Sequence, residues 1–167
     1  MKIITPSSEE DFLLYYELRW KILRKPWNQP LGSERDNLDN TGYHVMVCEN
    51  DRIPIGIGRL HFNNTHEAQI RYMAVDEEYQ GKGVGTLVIN ALEKYAKDQG
   101  AHYIMLNARE NAVPFYQKNG YNIQEKSYLL FDDIQHFKMK KLLKNLSGKS
   151  YILTFFCRFF INNKNIM

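Results

Sequence analysis

The sequence is poor in cysteine. Its 167 residues include two, Cys48 in an apolar run and Cys157 near the C-terminus. Two isolated cysteines make neither a disulfide framework nor a zinc site, and such sparing use is typical of a reducing compartment. The composition therefore argues against a small disulfide-stabilised secreted protein.

Long hydrophobic runs are also missing. The most apolar stretch, residues 151–161, contains Arg158 and is far shorter than the roughly 20 residues that a membrane-spanning helix needs. The first residues lack the apolar core of a secretory signal. We therefore expect a cytoplasmic protein without a membrane span.

The main part of the chain has almost no net charge. The net charge is +3, but four basic and no acidic residues follow residue 142, so the preceding residues carry −1. A near-neutral domain offers no electrostatic footprint for nucleic acid, and we predict no such partner. We interpret residues 143–167, with four phenylalanines around Arg158, as a hydrophobic and basic C-terminal extension. It could cover the surface of the domain or pair two copies as a homodimer.

The sequence does have the length and apolar content of one α/β domain, with 44% hydrophobic residues. Alternating and helical apolar spacing predicts a strand, a helix, three strands, a helix, a strand, a short helix and two strands. The predicted strands cover residues 2–5, 44–48, 53–62, 67–75, 102–106, 121–131 and 137–142, and the helices lie between 7 and 25, 84 and 100, and 111 and 118. This order predicts a mixed sheet with antiparallel strands early and one strand–helix–strand crossover.

Some boundaries carry specific signals. The serines and acids of residues 7–11 predict a helix N-cap, and Pro26 is expected to end that helix. Pro54, Gly56 and Gly58 interrupt the strand at 53–62, which indicates either a bulge or an edge strand.

A glycine-rich loop separates a predicted strand from the clearest predicted helix. Residues 80–86 read Gln-Gly-Lys-Gly-Val-Gly-Thr. Glycines let a ligand approach the main chain, and the free N–H groups at a helix start attract anions. The loop predicts a phosphate or pyrophosphate site near the Lys82 charge, although a tight turn without a ligand would need the same glycines. Its spacing matches neither a Walker loop nor a dinucleotide fingerprint.

Two segments together resemble the GCN5-related N-acetyltransferase (GNAT) family. Gln80-x-x-Gly83-x-Gly85 resembles the acyl-CoA signature Q/R-x-x-G-x-G/A, and residues 107–121 resemble the family's later motif around Phe115-Tyr116. The resemblance extends from about residue 2 to residue 142, and we predict residues 1–142 to be the N-acetyltransferase domain. It implies a mixed α/β sheet with helices on both faces. It also implies an enzyme that moves the acetyl group of acetyl-CoA to a primary amine by direct attack on the thioester.

The resemblance further implies how acetyl-CoA would be held, without a metal. The backbone of residues 73–75 would pair with the pantetheine arm, and the N–H groups of residues 80–86 would hold the pyrophosphate. Asn107 could reach the thiol end, and Asn111 could reach the cofactor or cap the short helix. The implied cofactor-binding residues are Met73, Ala74, Val75, Gln80, Gly81, Lys82, Gly83, Val84, Gly85, Thr86, Asn107 and Asn111.

The catalytic residues are implied in the same way. Tyr116 occupies the position of the family's general acid, which protonates the leaving sulfur, and its alternative role is that of a core tyrosine. The family's base position falls on Gln69, which cannot accept a proton, so Glu67 becomes the candidate base, with a solvated carboxylate as the alternative. His44, His61 and His66 are weaker candidates.

The missing base leaves a second function open, a catalytically silent acyl-CoA-binding module. If the protein is an enzyme, its amine acceptor is a small molecule or peptide. The first helix, the following loop and the last hairpin should select it. The charged and aromatic residues of the helix and loop include Glu17, Arg19, Trp20, Arg24, Trp27, Glu34, Arg35 and Asp36. Because both signs are present, the sequence predicts neither an acidic nor a basic acceptor.

Overall fold

The computed structural model describes residues 1–50 and 52–143, and these residues follow the predicted order of elements. The C-terminal extension from residue 144 onward, with its suggested role in a homodimer, lies outside them. The strands and helices are β1 (Lys2–Ile4), α1 (Glu9–Leu23), β2 (Tyr43–Cys48), β3 (Pro54–Phe62), β4 (Glu67–Val75), α2 (Val84–Asp98), β5 (Tyr103–Arg109), α3 (Val113–Lys118), β6 (Asn122–Leu130) and β7 (Ile134–Leu142). Across this described part, no helix is both long enough and apolar enough to cross a membrane.

The strands form one mixed sheet in the order β1-β2-β3-β4-β5-β7-β6. Neighbouring strands are antiparallel except for β4 and β5, which run parallel. The parallel pair is short, because residues 67–69 of β4 pair only with residues 103–105 of β5. Beyond these residues the two strands diverge, and a gap opens in the middle of the sheet.

Helices cover both faces of the sheet. On one face, α2 and α3 contribute Val88, Leu92 and Tyr116 to the larger apolar core. On the other face, Tyr15 and Leu18 of α1 pack in a second core with residues of β2, β3 and β4. The predicted mixed α/β sheet with helices on both faces is confirmed.

The ends of the helices follow from local chemistry. Ser8 Oγ accepts a hydrogen bond from the Asp11 N–H at 3.1 Å, and the Asp11 carboxylate accepts one from the Ser8 N–H at 3.2 Å. This capping box confirms the predicted N-cap. Pro26 lies in a short 3₁₀ turn after the end of α1, and Gly100, at φ 86°, follows α2.

The glycines of β3 serve close packing. A Cβ at Gly56 would lie 2.4 Å from Val84 Cγ1, and one at Gly58 would lie 2.8 Å from Val88 Cγ1, so α2 could not approach a larger residue. Opposite β2, Val47 pairs with Gly56 and Cys48 with Pro54, so Ile55 is an extra residue in β3 and the predicted bulge is confirmed. Opposite β4, Gly58 faces both Tyr72 and Met73, so β4 has a bulge of its own there. The edge-strand interpretation is wrong, because β3 lies between β2 and β4.

β4 reverses its facing at Tyr72, whose φ of 53° is left-handed. Before it, Ile70 packs in the core under α2, whereas after it Met73 and Val75 contact that core and Ala74 packs against α1. The regular alternation of side chains between the two faces, which the apolar spacing predicts for residues 67–75, is therefore broken at Tyr72. The irregular backbone lies where β4 has separated from β5.

Candidate functional site

A cleft of about 760 Å³ opens where β4 and β5 diverge. Its walls come from the ends of these strands, the loop before α2, the end of α1, α3 and the β6–β7 hairpin. It brings together most of the residues singled out from the sequence, namely Met73, Ala74, Val75, Gln80, Gly81, Gly83, Gly85, Thr86, Asn107, Asn111 and Tyr116.

Two predicted cofactor-binding residues do not line the cleft with their side chains. Lys82 is exposed, and its Nζ lies 5.1 Å from the centroid of the Tyr79 ring. The Val84 side chain is fully buried in the core against β3, so only its backbone remains available to the loop.

Glu67 lies in a neighbouring hollow, apart from the cleft that Tyr116 lines. Its carboxylate accepts hydrogen bonds from Asn63 Nδ2 at 2.6 Å and from the Tyr103 hydroxyl at 2.7 Å. The bond from Asn63 is the main cause that lowers the pKa of Glu67, with Tyr103 adding to it. Gln69, at the family's base position, lines the same hollow. Leu106 and Asn107 line both the hollow and the cleft, so the two adjoin, but Glu67 is not among the residues that line the cleft with Tyr116.

The loop before α2 presents free backbone N–H groups. Gly81 and Gly83 adopt φ angles of 74° and 84°, which favour glycine, and a Cβ at either position would meet open space. α2 begins at Val84 without a side-chain cap, and no described residue accepts a hydrogen bond from the N–H groups of residues 83–86. Because a helix start also carries partial positive charge, this loop suits an anion such as a pyrophosphate.

Two other residues of the glycine motif shape the loop. Gln80 Nε2 donates a hydrogen bond to the carbonyl oxygen of Val75 at 3.2 Å, which ties the loop to the end of β4. A Cβ at Gly85 would lie 3.0 Å from Phe115 Cζ, so glycine lets α2 and α3 pack closely.

Tyr116 belongs both to the core and to the cleft. Its ring packs edge-on against Phe115 and Tyr121, and its hydroxyl reaches Met73 Sδ at 3.8 Å. Burial raises the pKa of Tyr116 to about 12, so the phenol keeps its proton at neutral pH. Since a thioether is a weak acceptor, that proton is available to a stronger one.

Sequence reasoning missed His136. Of the five histidines, it is the one that lines the cleft, whereas His44, His61 and His66 do not. Its Nδ1 lies 2.9 Å from the Ile134 carbonyl oxygen, which assigns the proton to Nδ1 and leaves Nε2 as an acceptor. Burial lowers the pKa of His136 and keeps the ring neutral at pH 7. In the sheet, His136 of β7 pairs with Arg109 of β5. No signal in the sequence shows that this face of the two strands borders the cleft.

Arg24 and Arg109 line the cleft from the end of α1 and the end of β5. Both donate to the carbonyl oxygen of Leu23, from Arg24 Nη1 at 3.0 Å and from Arg109 Nη2 at 3.3 Å. Burial lowers the pKa of Arg109, and the neighbouring Arg24 charge adds to this. Within residues 1–50 and 52–143, neither arginine forms an ion pair.

A buried network holds the loop after α1 against the sheet. Arg19 and Arg59 are fully buried, and both contact Asp39 Oδ1, at 2.8 Å and 2.6 Å. Asp36 accepts hydrogen bonds from Arg59 Nη2 at 3.0 Å and from the Tyr72 hydroxyl at 3.1 Å. The network therefore fixes both the loop and the bulged residue of β4 beside the cleft. In the part of the chain that the structure covers, no three His, Cys, Asp or Glu side chains are grouped to hold a metal.

Comparison with known proteins agrees with this geometry. Residues 12–121 match the Acetyltransferase (GNAT) family. The uncharacterized N-acetyltransferase YjcF of Bacillus subtilis (strain 168) is 33% identical over 141 residues, which cover 84% of this chain and 99% of that protein.

Solved structures share the fold. An acyl-CoA N-acyltransferase from Pseudomonas aeruginosa aligns with a TM-score of 0.71 at 19% identity, over 84% of this chain and 97% of that one. A GNAT family acetyltransferase from Elizabethkingia anophelis with acetyl-CoA bound aligns with a TM-score of 0.64 at 16% identity, over 85% and 97%. The family match and the shared fold lead to one conclusion: the chain belongs to the GNAT family of acetyltransferases.

Proposed function

We propose that this acetyltransferase transfers the acetyl group of acetyl-CoA to a primary amine of a small molecule or peptide. The observation that carries the proposal is the gap between β4 and β5, which opens beside the free N–H groups of residues 83–86 and is lined by Tyr116. The Elizabethkingia anophelis relative, with acetyl-CoA bound, supports the choice of acyl donor.

The residues of the cleft fit the chemical parts of coenzyme A. The N–H groups of residues 83–86 suit its pyrophosphate. Beyond residue 69, β4 does not pair with β5, so the backbone of residues 73–75 can pair with pantetheine amides on that side. The Val75 carbonyl oxygen already accepts a hydrogen bond from Gln80 Nε2, and a pantetheine amide would displace this bond. Asn107 and Asn111 line the same cleft, and an asparagine amide can both donate and accept hydrogen bonds. When bound, acetyl-CoA would supply an activated thioester whose carbonyl carbon an amine can attack directly.

Tyr116 is the proposed general acid. Its phenol is protonated at neutral pH, lines the cleft and already directs its hydroxyl at the sulfur of Met73. In the transfer, the amine nitrogen bonds to the acetyl carbon, the carbon–sulfur bond breaks, and Tyr116 protonates the departing sulfur.

His136 is a better placed base than Glu67. It lines the same cleft as Tyr116, and its Nε2 can accept the proton that the attacking amine loses. His136 takes up the proton that the amine loses, and Tyr116 gives the proton that the leaving sulfur gains. Together these two transfers balance the conversion of amine and thioester to amide and thiol. Glu67 stays an untested prediction, and its position in the neighbouring hollow argues against direct contact with the amine. A base in the cleft also favours an enzyme over the silent module.

Calorimetry with acetyl-CoA, followed by an amine screen with thiol detection, tests the proposal. We expect saturable binding of acetyl-CoA and amine-dependent release of free thiol. Binding without thiol release from any amine would contradict the transferase and support a coenzyme-binding module. No binding by folded protein would contradict both.

A further inference from the structure

The charged side chains that line the cleft are all basic. They are Arg24, Arg71, Arg109 and Lys118, and no carboxylate accompanies them among the lining residues of the described chain. Arg71 Nη1 lies 3.6 Å from Asp36 Oδ2, so the charge of Arg71 is partly neutralised. Asp36 itself is not among the residues that line the cleft. Among the residues that the structure describes, Arg24 and Arg109 have no such partner.

Arg24 and Arg109 converge on one point. Both bind the Leu23 carbonyl oxygen, and their guanidinium carbons lie over aromatic rings, Arg24 at 5.6 Å from the Phe131 centroid and Arg109 at 4.3 Å from the Trp27 centroid. A guanidinium has five N–H donors, so each side chain retains donors beyond those spent on the backbone. Two like charges held this close favour an anion between them.

The acidic residues of the nearby loop are already engaged. Asp36 and Asp39 pair with the buried Arg59 and Arg19, and the Glu34 carboxylate accepts from the Gly32 N–H at 2.7 Å and from Arg35 Nε at 3.2 Å. The loop therefore offers no free carboxylate for the pair in the cleft.

The arginine pair lies on the opposite face of the sheet from the glycine loop. In β5, Leu106 and Ala108 pack in the core under α2, so the alternation turns Asn107 and Arg109 toward the α1 face. The loop of residues 80–86 leads into α2 on the other face. The phosphates proposed for that loop therefore leave the arginine charges unmatched.

We infer that the amine acceptor carries an oxyanion, a carboxylate or a phosphate, which Arg24 and Arg109 bind. This inference rests on the proposed function, because it names the acceptor class of the same site. Arginine is suited to the task, since its planar fork pairs with two oxygens of one anion. His136 lies directly opposite Arg109 in the sheet, which places the base beside the anion site and favours a small acceptor whose amine and oxyanion are a few bonds apart.

Matched amines test the charge preference. Thiol release is measured with β-alanine against β-alaninamide, aminoethyl phosphate against ethanolamine, and ethylenediamine as a cationic amine. We expect kcat/KM to be about 10- to 100-fold higher for the anionic member of at least one pair, the range of charge-assisted hydrogen bonds. A preference for β-alanine indicates a carboxylate acceptor, and a preference for aminoethyl phosphate indicates a phosphate acceptor.

Charge-removing variants test the residues. Arg24→Gln and Arg109→Gln should each abolish most of that preference and raise KM for the anionic acceptor, with Kd for acetyl-CoA by calorimetry within about twofold of the native value. Arg109→Lys should restore part of the preference, because the charge returns without the fork. Lys25→Gln is the matched control, since Lys25 is adjacent to Arg24 but turns toward the Trp20 ring, 5.6 Å from its centroid. It should leave the preference unchanged.

A binding measurement separates this inference from the proposed function. Calorimetry of the anionic amines is run on the protein saturated with coenzyme A, in native and Arg109→Gln forms. If the native protein binds the anionic amines, Arg109→Gln does not, and no thiol is released, the transferase is overturned and the anion site stands. Equal or better turnover of the neutral and cationic amines would overturn the anion site and keep the transferase. A large loss of acetyl-CoA affinity in the arginine variants would assign the pair to the coenzyme and overturn the inference.

Discussion

The two sides of the cleft are built from different chemical groups. On the side of α2 and α3, the proposed binding groups are backbone N–H groups of consecutive residues, 83–86. On the side of α1, they are side chains from distant parts of the chain, Arg24, Arg109 and His136. A main-chain site is encoded in one short motif, whereas a side-chain site exists only after folding brings its members together.

The arginines show the same contrast within one side. Arg19 lies in α1, and Arg24 follows its last residue, five positions later. The two differ only in the residues that each contacts in the folded protein. Arg19 is buried against Asp39, whereas Arg24 lines the cleft and pairs with no carboxylate in the described part of the chain. A count of charges cannot separate a structural cation from one that is free to bind.

The largest effect is expected from Tyr116→Phe, which removes the acid and keeps the ring packing. We expect kcat to fall by about 100- to 10,000-fold, the usual contribution of a general acid. Kd for acetyl-CoA by calorimetry should change by less than about twofold. Tyr121→Phe is the control, because Tyr121 packs against Tyr116 but does not line the cleft. Equal loss of turnover and coenzyme affinity in Tyr116→Phe would show a structural role instead.

The next effect is on stability. Asp39→Ala leaves two fully buried guanidinium groups without a shared partner, so the free energy of unfolding should fall by about 3–5 kcal/mol. Urea denaturation measures it. Asp98→Ala, which removes an exposed partner of Lys94, should cost less than about 0.5 kcal/mol. Similar losses in both variants would refute the central role of the buried network.

A smaller effect is expected on the coenzyme side from Gly83→Ala. At φ 84°, alanine is strained by about 1–2 kcal/mol, and the loop would shift to relieve it, which weakens acetyl-CoA binding by about 5- to 30-fold. Gly32→Ala is the control, because Gly32 also has a positive φ, 93°, with no atom within 4 Å of the added Cβ. It should leave Kd unchanged. Native affinity in Gly83→Ala would remove the backbone of this loop from the binding site.

The smallest effect is expected from Glu67→Gln, with less than about a twofold change in kcat/KM. The pH profile supplies the contrast, because His136 must be neutral to accept a proton. Burial lowers its pKa below the ordinary value of about 6.5, so kcat/KM calculated for the unprotonated fraction of the amine should hold at pH 7 and fall about tenfold per unit once the pH drops below that pKa. His136→Gln should remove this acid limb. A limb that persists in His136→Gln and disappears in Glu67→Gln would restore Glu67 as the base.

The fold was predictable where local signals agree. Ser8 and Asp11 cap α1 as the serines and acids of that segment indicate, and the apolar spacing of α2 was unambiguous. β3 was misjudged as a possible edge strand because glycines that weaken a strand also permit a helix to pack closely on it. The reversal of β4 at Tyr72 was not foreseen, since a left-handed tyrosine depends on partners such as Asp36, which lies far away in the sequence.

By itself, the sequence determined the order of the elements, the glycine loop of residues 80–86 before the start of α2, and the position of Tyr116 in the short helix. Each of these depends on residues that are neighbours in the chain, so the local sequence is enough to specify it. Only the tertiary structure decided that Glu67 lies beside the cleft and not in its lining, and that His136 lines it. It also decided that Arg24 and Arg109 have no carboxylate partner among residues 1–50 and 52–143. These facts depend on which distant groups pair and which are left unpaired, and a charge acquires or loses its partner only when the chain is packed.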